Sequence, residues 1–360
     1  MKIAIIGLAN SGKTTVFNAL TRGTAETAAY SSGQMEPNLA MVKVPDERLE
    51  VLAQIFKPKK VTYADVQYVD VAGISGGGRQ GGGLAPALLN YIGGADALLH
   101  VVRAFDDPSV PHPEGSVDMK RDIQTVDLEL AFSDLAIIER RLQRLNAEIG
   151  KLASKEKELR IAERDLLLRL QSALEADQPI RSLELSDEEE RLIRGYQFLT
   201  AKPLLLVPNI DEAQLASPPQ VEYPQQRSAV VPLCGKIEAE LAQLDDADAR
   251  SFMDDLGISK PARDLVIQRS YELLGLISFL TAGPDEVRAW TIRRNTPAVE
   301  AAGAIHSDIQ RGFIRAEVVA YDDLISAGDM NAAKKAGVVR MEGKTYIVQD
   351  GDICHFLFNV

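Results

Sequence analysis

Apolar positions change their spacing twice along the chain. Up to about residue 125, short unbroken apolar runs stand between loops and helical stretches, and residues 3–6, 66–71 and 97–102 read as buried strands. Such alternation predicts a mostly parallel sheet, with ligands at the C-terminal ends of its strands. From Asp127 the spacing becomes sevenfold. Leu128, Leu135, Leu142 and Ile149 form one series, and Ala131, Ile138, Leu145 and Leu152 the other, with Glu, Arg and Lys between them. That is an a/d seam. Gly150 and the polar stretch 154–158 interrupt it, and Leu159, Ala162, Leu166, Leu170 and Leu174 begin a second stripe. An antiparallel helical hairpin is the simplest reading, with one long surface helix as the alternative. Ser186-Asp-Glu-Glu-Glu190 resembles a capping box and predicts a further short helix.

Unbroken apolar runs return at 203–207 and at Val230 and Val231, followed by helical stretches near 237–244 and 261–276. An α/β pattern on both sides of the seam predicts one domain split by a helical insertion. Beyond 281–284 the pattern alternates at 286–292 and 312–320, turns helical over 297–305, and closes with strands at 344–348 and 354–358 around an Asp350-Gly351-Asp352 turn. This predicts a small α+β domain. The boundaries follow: 1–126 and 199–277 for the two parts of the first domain, 127–198 for the hairpin, and 278–360 for the last domain.

Candidate chemistry begins at the end of the first strand, with Gly7-x4-Gly12-Lys13-Thr14 and a helix-forming stretch from Thr15 to Leu20. Strand, glycine loop and helix in that order are the context of a phosphate-binding P-loop. Its backbone N–H groups turn onto an anion and the helix N-terminus adds partial positive charge. The candidate nucleotide-binding residues are Gly7, Asn10, Ser11, Gly12, Lys13, Thr14 and Thr15. Lys13 reaches the β- and γ-phosphates, and the Thr14 hydroxyl suits magnesium, which takes hard oxygen ligands. Val66-Gln-Tyr-Val-Asp70-Val-Ala-Gly73 ends a second strand in Asp-x-x-Gly. Asp70 is the second magnesium candidate, and the Gly73 N–H is a candidate for the γ-phosphate. Ile74 stands where many GTPases have a water-orienting glutamine, so hydrolysis needs help from a potassium ion, another loop or a partner. The glycine run from Gly76 to Gly83 then reads as a switch, or as plain linker.

Base recognition is expected after the 203–207 strand, at Asn209-Ile-Asp-Glu212. The usual Asn-Lys-x-Asp pairs its aspartate with guanine. Here Ile210 replaces the lysine and the longer Glu212 replaces the aspartate. Asn209 is expected to pair with adenine N6 and N7, while Asp211 remains open as a shifted guanine reader. The motif leans toward ATP or toward weak base discrimination. Cys234 and Gly235 complete the candidate nucleotide contacts.

Composition narrows the classes. At 360 residues the chain has room for two or three domains, and a net charge of −12 argues against coating nucleic acid through bulk charge. Two distant cysteines indicate neither a disulfide framework nor a zinc site and fit a reducing cytoplasm. The N-terminus enters a strand directly, leaving no room for a signal peptide, and no apolar run approaches the roughly 18 residues of a membrane span. A monomer without membrane attachment is expected. Arg293, Arg294, Arg311, Arg315, Lys334, Lys335 and Arg340 are candidates for RNA phosphates, with a solvated surface as the alternative.

With P-loop, Asp-x-x-Gly-Ile, heptad insertion and Asn-x-x-Glu in this order, the chain resembles the YchF/Obg-like ATPase family. The C-terminal segments Glu286-Val-Arg-Ala-Trp290-Thr-Ile, Ala301-Ala-Gly-x-Ile-His306-Ser-Asp, Arg311-Gly-Phe-Ile-Arg-Ala-Glu317 and Asp350-Gly-Asp-x-x-x-Phe-Leu-Phe358-Asn look like its TGS domain, a β-grasp module. The resemblance implies a P-loop NTPase G-domain with a coiled-coil insertion and a C-terminal β-grasp domain. It further implies cytoplasmic, magnesium-dependent hydrolysis of ATP, or of GTP, by a switch that associates with ribosomes or ribosomal RNA. The alternatives are a GTPase of ordinary specificity and a nucleotide-sensing adaptor with little turnover. By the same resemblance Asn10 matches an asparagine that helps place potassium, and His112 a loop histidine that assists hydrolysis. The chain departs from the family at Gln34, where the first switch has threonine, at Ala9 and Ser11 in the P-loop, and at the glycine run, which replaces a Lys- and Glu-containing stretch.

Overall fold

Strands whose residues are buried on both faces form the centre of the first sheet. In chain order the strands are β1 (Lys2–Ile6), β2 (Asn38–Lys43), β3 (Lys60–Thr62), β4 (Asp65–Asp70), β5 (Ala97–Arg103), β6 (Leu204–Asn209), β7 (Ser228–Val230), β8 (Leu276–Ala282), β9 (Glu286–Arg293), β10 (Phe313–Ala320), β11 (Arg340–Glu342) and β12 (Asp352–Phe358). The computed structural model describes residues 1–23, 37–71, 86–151 and 153–359. The chain divides into two units, 1–40 with 67–273 and 41–66 with 274–360.

In the first unit the sheet order is β2-β4-β1-β5-β6-β7. β1 pairs in parallel with both β4 and β5, and β5-β6-β7 continue in parallel. Strand order therefore reverses at β1, and the crevice at its C-terminal end is where ligands bind in such sheets. Every residue of β5 and β6 is buried, as a sheet covered on both faces requires. Ala4, Ile6, Leu98 and Leu206 share one core with Ile92 of the helix Pro86–Gly93 and with Ile123, Val126 and Leu130 of the long helix Met119–Glu148.

That long helix and the return helix Ser154–Glu175, joined by a short turn at Ile149–Lys151, form the hairpin rather than one continuous helix. Ile138, Leu142 and Leu145 pack with Leu166, Leu167, Leu170 and Leu174. The sevenfold series holds only in part. Leu128 is 44% exposed, whereas Ile123, Val126, Leu130, Asp134 and Ile138 carry the buried face. A straight helix drifts about 20° per heptad against a strict seven-residue repeat, so the buried stripe follows spacings of three and four. The helix also begins at Met119, capped by Asp118. Leu152 lies outside the described residues. The capping box at Ser186 is present.

Asp134 ties the long helix to the chain leading into β6. It is fully buried, and its two oxygens accept from Leu199 N–H (2.8 Å), Thr200 N–H (2.8 Å) and the Thr200 hydroxyl (2.7 Å). Burial pushes its carboxyl up to about 6, with the Thr200 and Leu199 hydrogen bonds opposing. The folded protein therefore holds this proton at pH values where the unfolded chain, titrating near 4, has released it. The associated stability is present below about pH 4 and lost as pH rises through about 6. Asp134→Asn is expected to remove roughly 2 kcal/mol of pH dependence in this window. Urea unfolding at pH 4.5 and 7 reads it, and an unchanged slope assigns the titration elsewhere.

The second unit carries the sheet β11-β10-β12-β8-β9-β3. β8 runs parallel to β12, β9 and β10 flank them in antiparallel sense, and the helix Ala298–Ile305 packs its alanines against Phe279, Phe313 and Phe356. This is a β-grasp arrangement. β3, from the N-terminal half of the chain, adds an outer parallel strand on β9. Residues 41–66, assigned from sequence to the nucleotide-binding domain, cluster here.

Two expectations are corrected. The helix expected to run to residue 276 ends at Leu273, and Gly275, with φ of 67°, turns the chain into β8. Residues 344–348 are not a strand. Their carbonyls serve the start of the helix Ala298–Ile305, Tyr346 accepting from Ala298 N–H (2.7 Å) and Lys344 from Val299 N–H (3.3 Å). A helix start has N–H groups without partners of its own, and this stretch supplies acceptors instead of pairing as a strand. The strand on that edge is β11.

Candidate functional site: a phosphate loop and its clips

β1 delivers the chain into the P-loop, and the helix Lys13–Thr21 leaves it. The turn needs glycine at both ends. A Cβ on Gly7 would stand 2.3 Å from the Val101 carbonyl oxygen, and Gly12 has φ of 90° at the helix N-cap. Gly12 brings no side chain to cap the helix, so the first-turn N–H groups of Lys13, Thr14 and Thr15 face the loop. Lys13 is 8% exposed, and its ammonium donates to the Leu8 carbonyl across the loop (2.7 Å). Burial pulls its pKa down to about 8, while Asp70 raises it.

The Thr14 hydroxyl donates to Asp70 Oδ2 at 2.8 Å. Asp70 is buried, and burial pushes its carboxyl up against the opposing effects of Thr14, Lys13 and Asn38. Two hard oxygens at this separation match adjacent corners of a magnesium octahedron, about 3 Å apart for metal–oxygen bonds of roughly 2.1 Å. No group of three His, Cys, Asp or Glu side chains that could hold a metal occurs among the described residues. The pair therefore suits magnesium, which keeps waters and phosphate oxygens as its other ligands, and does not suit a metal caged by protein alone.

Asn209, at the end of β6, has a role the motif did not predict. Its Nδ2 donates to the Ser11 carbonyl (3.1 Å), and its Oδ1 accepts from Gly235 N–H (2.9 Å). With 4% of its surface exposed, it clips the P-loop to the 234–235 turn. The Gly235 N–H takes one lone pair of the carbonyl that is expected to meet adenine N6, and a second lone pair and a second amide hydrogen remain. Gly12 and Gly235 leave room for the clip, since a Cβ on either would stand 2.2 Å and 2.9 Å from the Asn209 amide. Thr15 Cγ2 would lie 3.4 Å from the same Gly235 position. Asp211 accepts from Glu212 N–H (2.7 Å) in a short capped turn, while the Glu212 side chain is exposed. Ile210 is buried with Cys234 and Ile237. Cys234 precedes the helix Gly235–Leu241, and burial pushes its thiol pKa up. Ser11 is 2% exposed, its hydroxyl without a hydrogen-bond partner among the described residues.

His112 does not face open solvent. Its Nε2 lies 2.9 Å from Asp122 Oδ2, and its Nδ1 accepts from Glu114 N–H (3.1 Å). One residue earlier, the Pro111 carbonyl accepts from Asn10 Nδ2 (2.9 Å), which ties this loop to the P-loop. Gly73 and Ile74 lie outside the described residues, as do Gln34 and the 76–83 glycine run. Sequence reasoning missed Asp122, because nothing in a ten-residue spacing signals a contact. It also missed Phe105, whose Cε1 would be 3.8 Å from a Cβ on Gly12 and whose ring lies under the Arg103 guanidinium at 4.5 Å.

Comparison with known proteins places the chain in a family. A family model described as "50S ribosome-binding GTPase" (MMR_HSR1) matches residues 2–140, and one described as "Protein of unknown function (DUF933)" (YchF-GTPase_C) matches residues 276–359. The Ribosome-binding ATPase YchF of Bacillus subtilis (strain 168) is 43% identical over 364 residues, covering 99% of this chain and 98% of that protein. The chain belongs to the YchF family. Obg-like ATPase 1 of Caenorhabditis elegans, 35% identical over 368 residues, aligns with 100% of this chain and 92% of its own length. The solved Schizosaccharomyces pombe YchF GTPase superposes with a TM-score of 0.86 at 33% identity, over 99% of this chain and 97% of that one. YchF membership bears out the resemblance read from the motifs. No helix among the described residues is long and apolar enough to cross a membrane.

Proposed function

We propose that the chain is a magnesium-dependent P-loop NTPase that prefers ATP and works as a nucleotide-dependent switch on ribosomes. The observation that carries the reading is the convergence of the Lys13 ammonium, the first-turn N–H groups and the Thr14–Asp70 oxygen pair at the C-terminal end of β1. Lys13 and the amides bind the phosphates, and Thr14 and Asp70 hold the metal, which when bound neutralises charge between phosphate groups. His112 is the candidate for positioning the attacking water, in a loop already fixed to Asn10. Asn10 is also the candidate for placing potassium as a second cation. The names carried by relatives, ribosome-binding ATPase and Obg-like ATPase, support ribosomes as the partner and ATP as the nucleotide. A cytoplasmic monomer fits that role.

Base preference rests on Asn209-x-x-Glu212, which lacks the guanine-specific aspartate. Asp211, the remaining carboxylate, accepts a hydrogen bond from the neighbouring Glu212 N–H. ATP is expected to bind at least as tightly as GTP, and the protein to pellet with ribosomes in one nucleotide state more than another. Calorimetric titration with both nucleotides and sedimentation with ATP, ADP and a non-hydrolysable analogue read both expectations. A GTP preference of about tenfold, or about 1.4 kcal/mol, makes the protein a GTPase of ordinary specificity. Turnover that stays negligible with and without ribosomes makes it a nucleotide-sensing adaptor.

A further inference from the structure

His112 sits in a closed ring of hydrogen bonds that leaves its imidazole no free lone pair. Nδ1 accepts from Glu114 N–H, so in the neutral ring the proton is on Nε2, which donates to Asp122 Oδ2 (2.9 Å). The side chains of His112 and Asp122 are 4% and 3% exposed. Asp122 is itself held. Its other oxygen accepts from Arg121 Nε (3.0 Å) and Nη2 (2.8 Å), and the same guanidinium donates to the Ser116 carbonyl (2.6 Å) and hydroxyl (3.1 Å). Asp122 also lies in the first turn of the long helix, where the helix N-terminus favours a carboxylate.

We propose that Asp122 is a positioning residue that latches His112 in a non-catalytic orientation, and that release of this latch regulates hydrolysis. The inference rests on the reading of His112 given above. A ring whose lone pair and N–H are both engaged can neither accept a proton from water nor orient it. One of the two bonds must break before His112 acts. The loop is already anchored one residue earlier, where Asn10 holds the Pro111 carbonyl, so rotation about His112 suffices without moving the whole segment. The latch carboxylate stands at the root of the hairpin's first helix, so a partner that shifts this root and one that engages the 112–116 loop act on the same bond. The charged latch separates nucleotide binding, which it leaves alone, from turnover, which it restrains.

The test uses full-length protein with Asp122→Asn, Arg121→Gln, His112→Ala and the Asp122→Asn/His112→Ala pair. Weakening a charge-assisted bond is expected to raise kcat for ATP by about tenfold in Asp122→Asn. KM is expected to stay unchanged, and the gain to vanish when His112→Ala is added. Arg121→Gln, which frees Asp122 without touching His112, is expected to give a smaller rise. A fall in kcat on Asp122→Asn overturns the latch, because Asp122 then orients His112 for catalysis, and an unchanged kcat overturns it as well. Nitrogen NMR of His112 without added nucleotide reads the latch apart from activity. A single Nε2–H tautomer in the wild type that becomes mixed in Asp122→Asn supports it, and a mixed tautomer in the wild type overturns it. If His112→Ala alone hydrolyses at the wild-type rate, the catalytic reading of His112 fails, while the tautomer measurement still reports whether Asp122 holds the ring.

Discussion

Lys13→Ala is expected to lower affinity for magnesium–ATP by about a hundredfold or more and to abolish measurable turnover. Hydrogen bonds to charged groups are worth roughly 1.5–3 kcal/mol each, and a P-loop lysine makes them to two phosphates at once. The fold is expected to tolerate the change. Burial already pulls the Lys13 pKa down to about 8, so the ammonium sits where its charge is costly and only an anion compensates it. Its hydrogen bond to the Leu8 carbonyl spans five residues and stays within the loop. Loss of binding with an unchanged melting temperature is therefore the expected pair of results. Because the free amine loses its proton as pH rises through about 8, binding above that pH must take up a proton, and wild-type affinity is expected to fall there. Calorimetry at pH 7 and 9 measures this, and wild-type affinity and rate in Lys13→Ala would refute the P-loop assignment.

Asn209→Ala is expected to weaken ATP and GTP alike, by roughly ten- to a hundredfold. The amide joins two segments 198 and 26 residues away in sequence, through the Ser11 carbonyl and the Gly235 N–H. Removing it strands a buried acceptor and a buried donor, each costing about 1–3 kcal/mol, and frees the P-loop from the 234–235 turn. Through the clip the substitution acts on the P-loop, upstream of either base, so the two affinities are expected to fall together. Paired titrations decide between this and base reading: a loss confined to ATP would restore Asn209 as a reader of adenine.

The centre of the first sheet was legible because its strands are largely buried on both faces and announce themselves as apolar runs; β1, β4, β5 and β6 fall where those runs are. β8 was hidden for a related reason, since Leu276 to Leu280 are buried on both faces and, apart from Ser278, apolar, so they read as an extension of the preceding helix. Short edge strands such as β3 and β11 carry too few residues to show a period. Residue types pointed to the candidate site, since Lys13, Thr14 and Asp70 suit phosphates and magnesium by their own chemistry and the fold brings Thr14 and Asp70 together. The clip made by Asn209 was hidden because a primary amide can read a base and join two backbones, and only its neighbours show the second role. His112 was found by resemblance, whereas its restraint by Asp122 depends on how a loop folds back onto a helix start.

The make-up of the second unit has a consequence for how the protein comes off the synthetic machinery. Arg48 pairs with Asp350 (2.9 Å), and β3 lies along β9. The 41–66 segment therefore emerges early and waits, through the synthesis of more than two hundred residues, for the strands that cover it. Until β9 and the Asp350 turn are made, its apolar side chains depend on the tunnel, a chaperone or a non-native neighbour for shelter. Chains synthesised slowly or stopped early expose that segment longest. A nonsense change just after residue 273 does more than delete a tail, because it leaves an orphaned piece of the second unit spliced into the middle of the first.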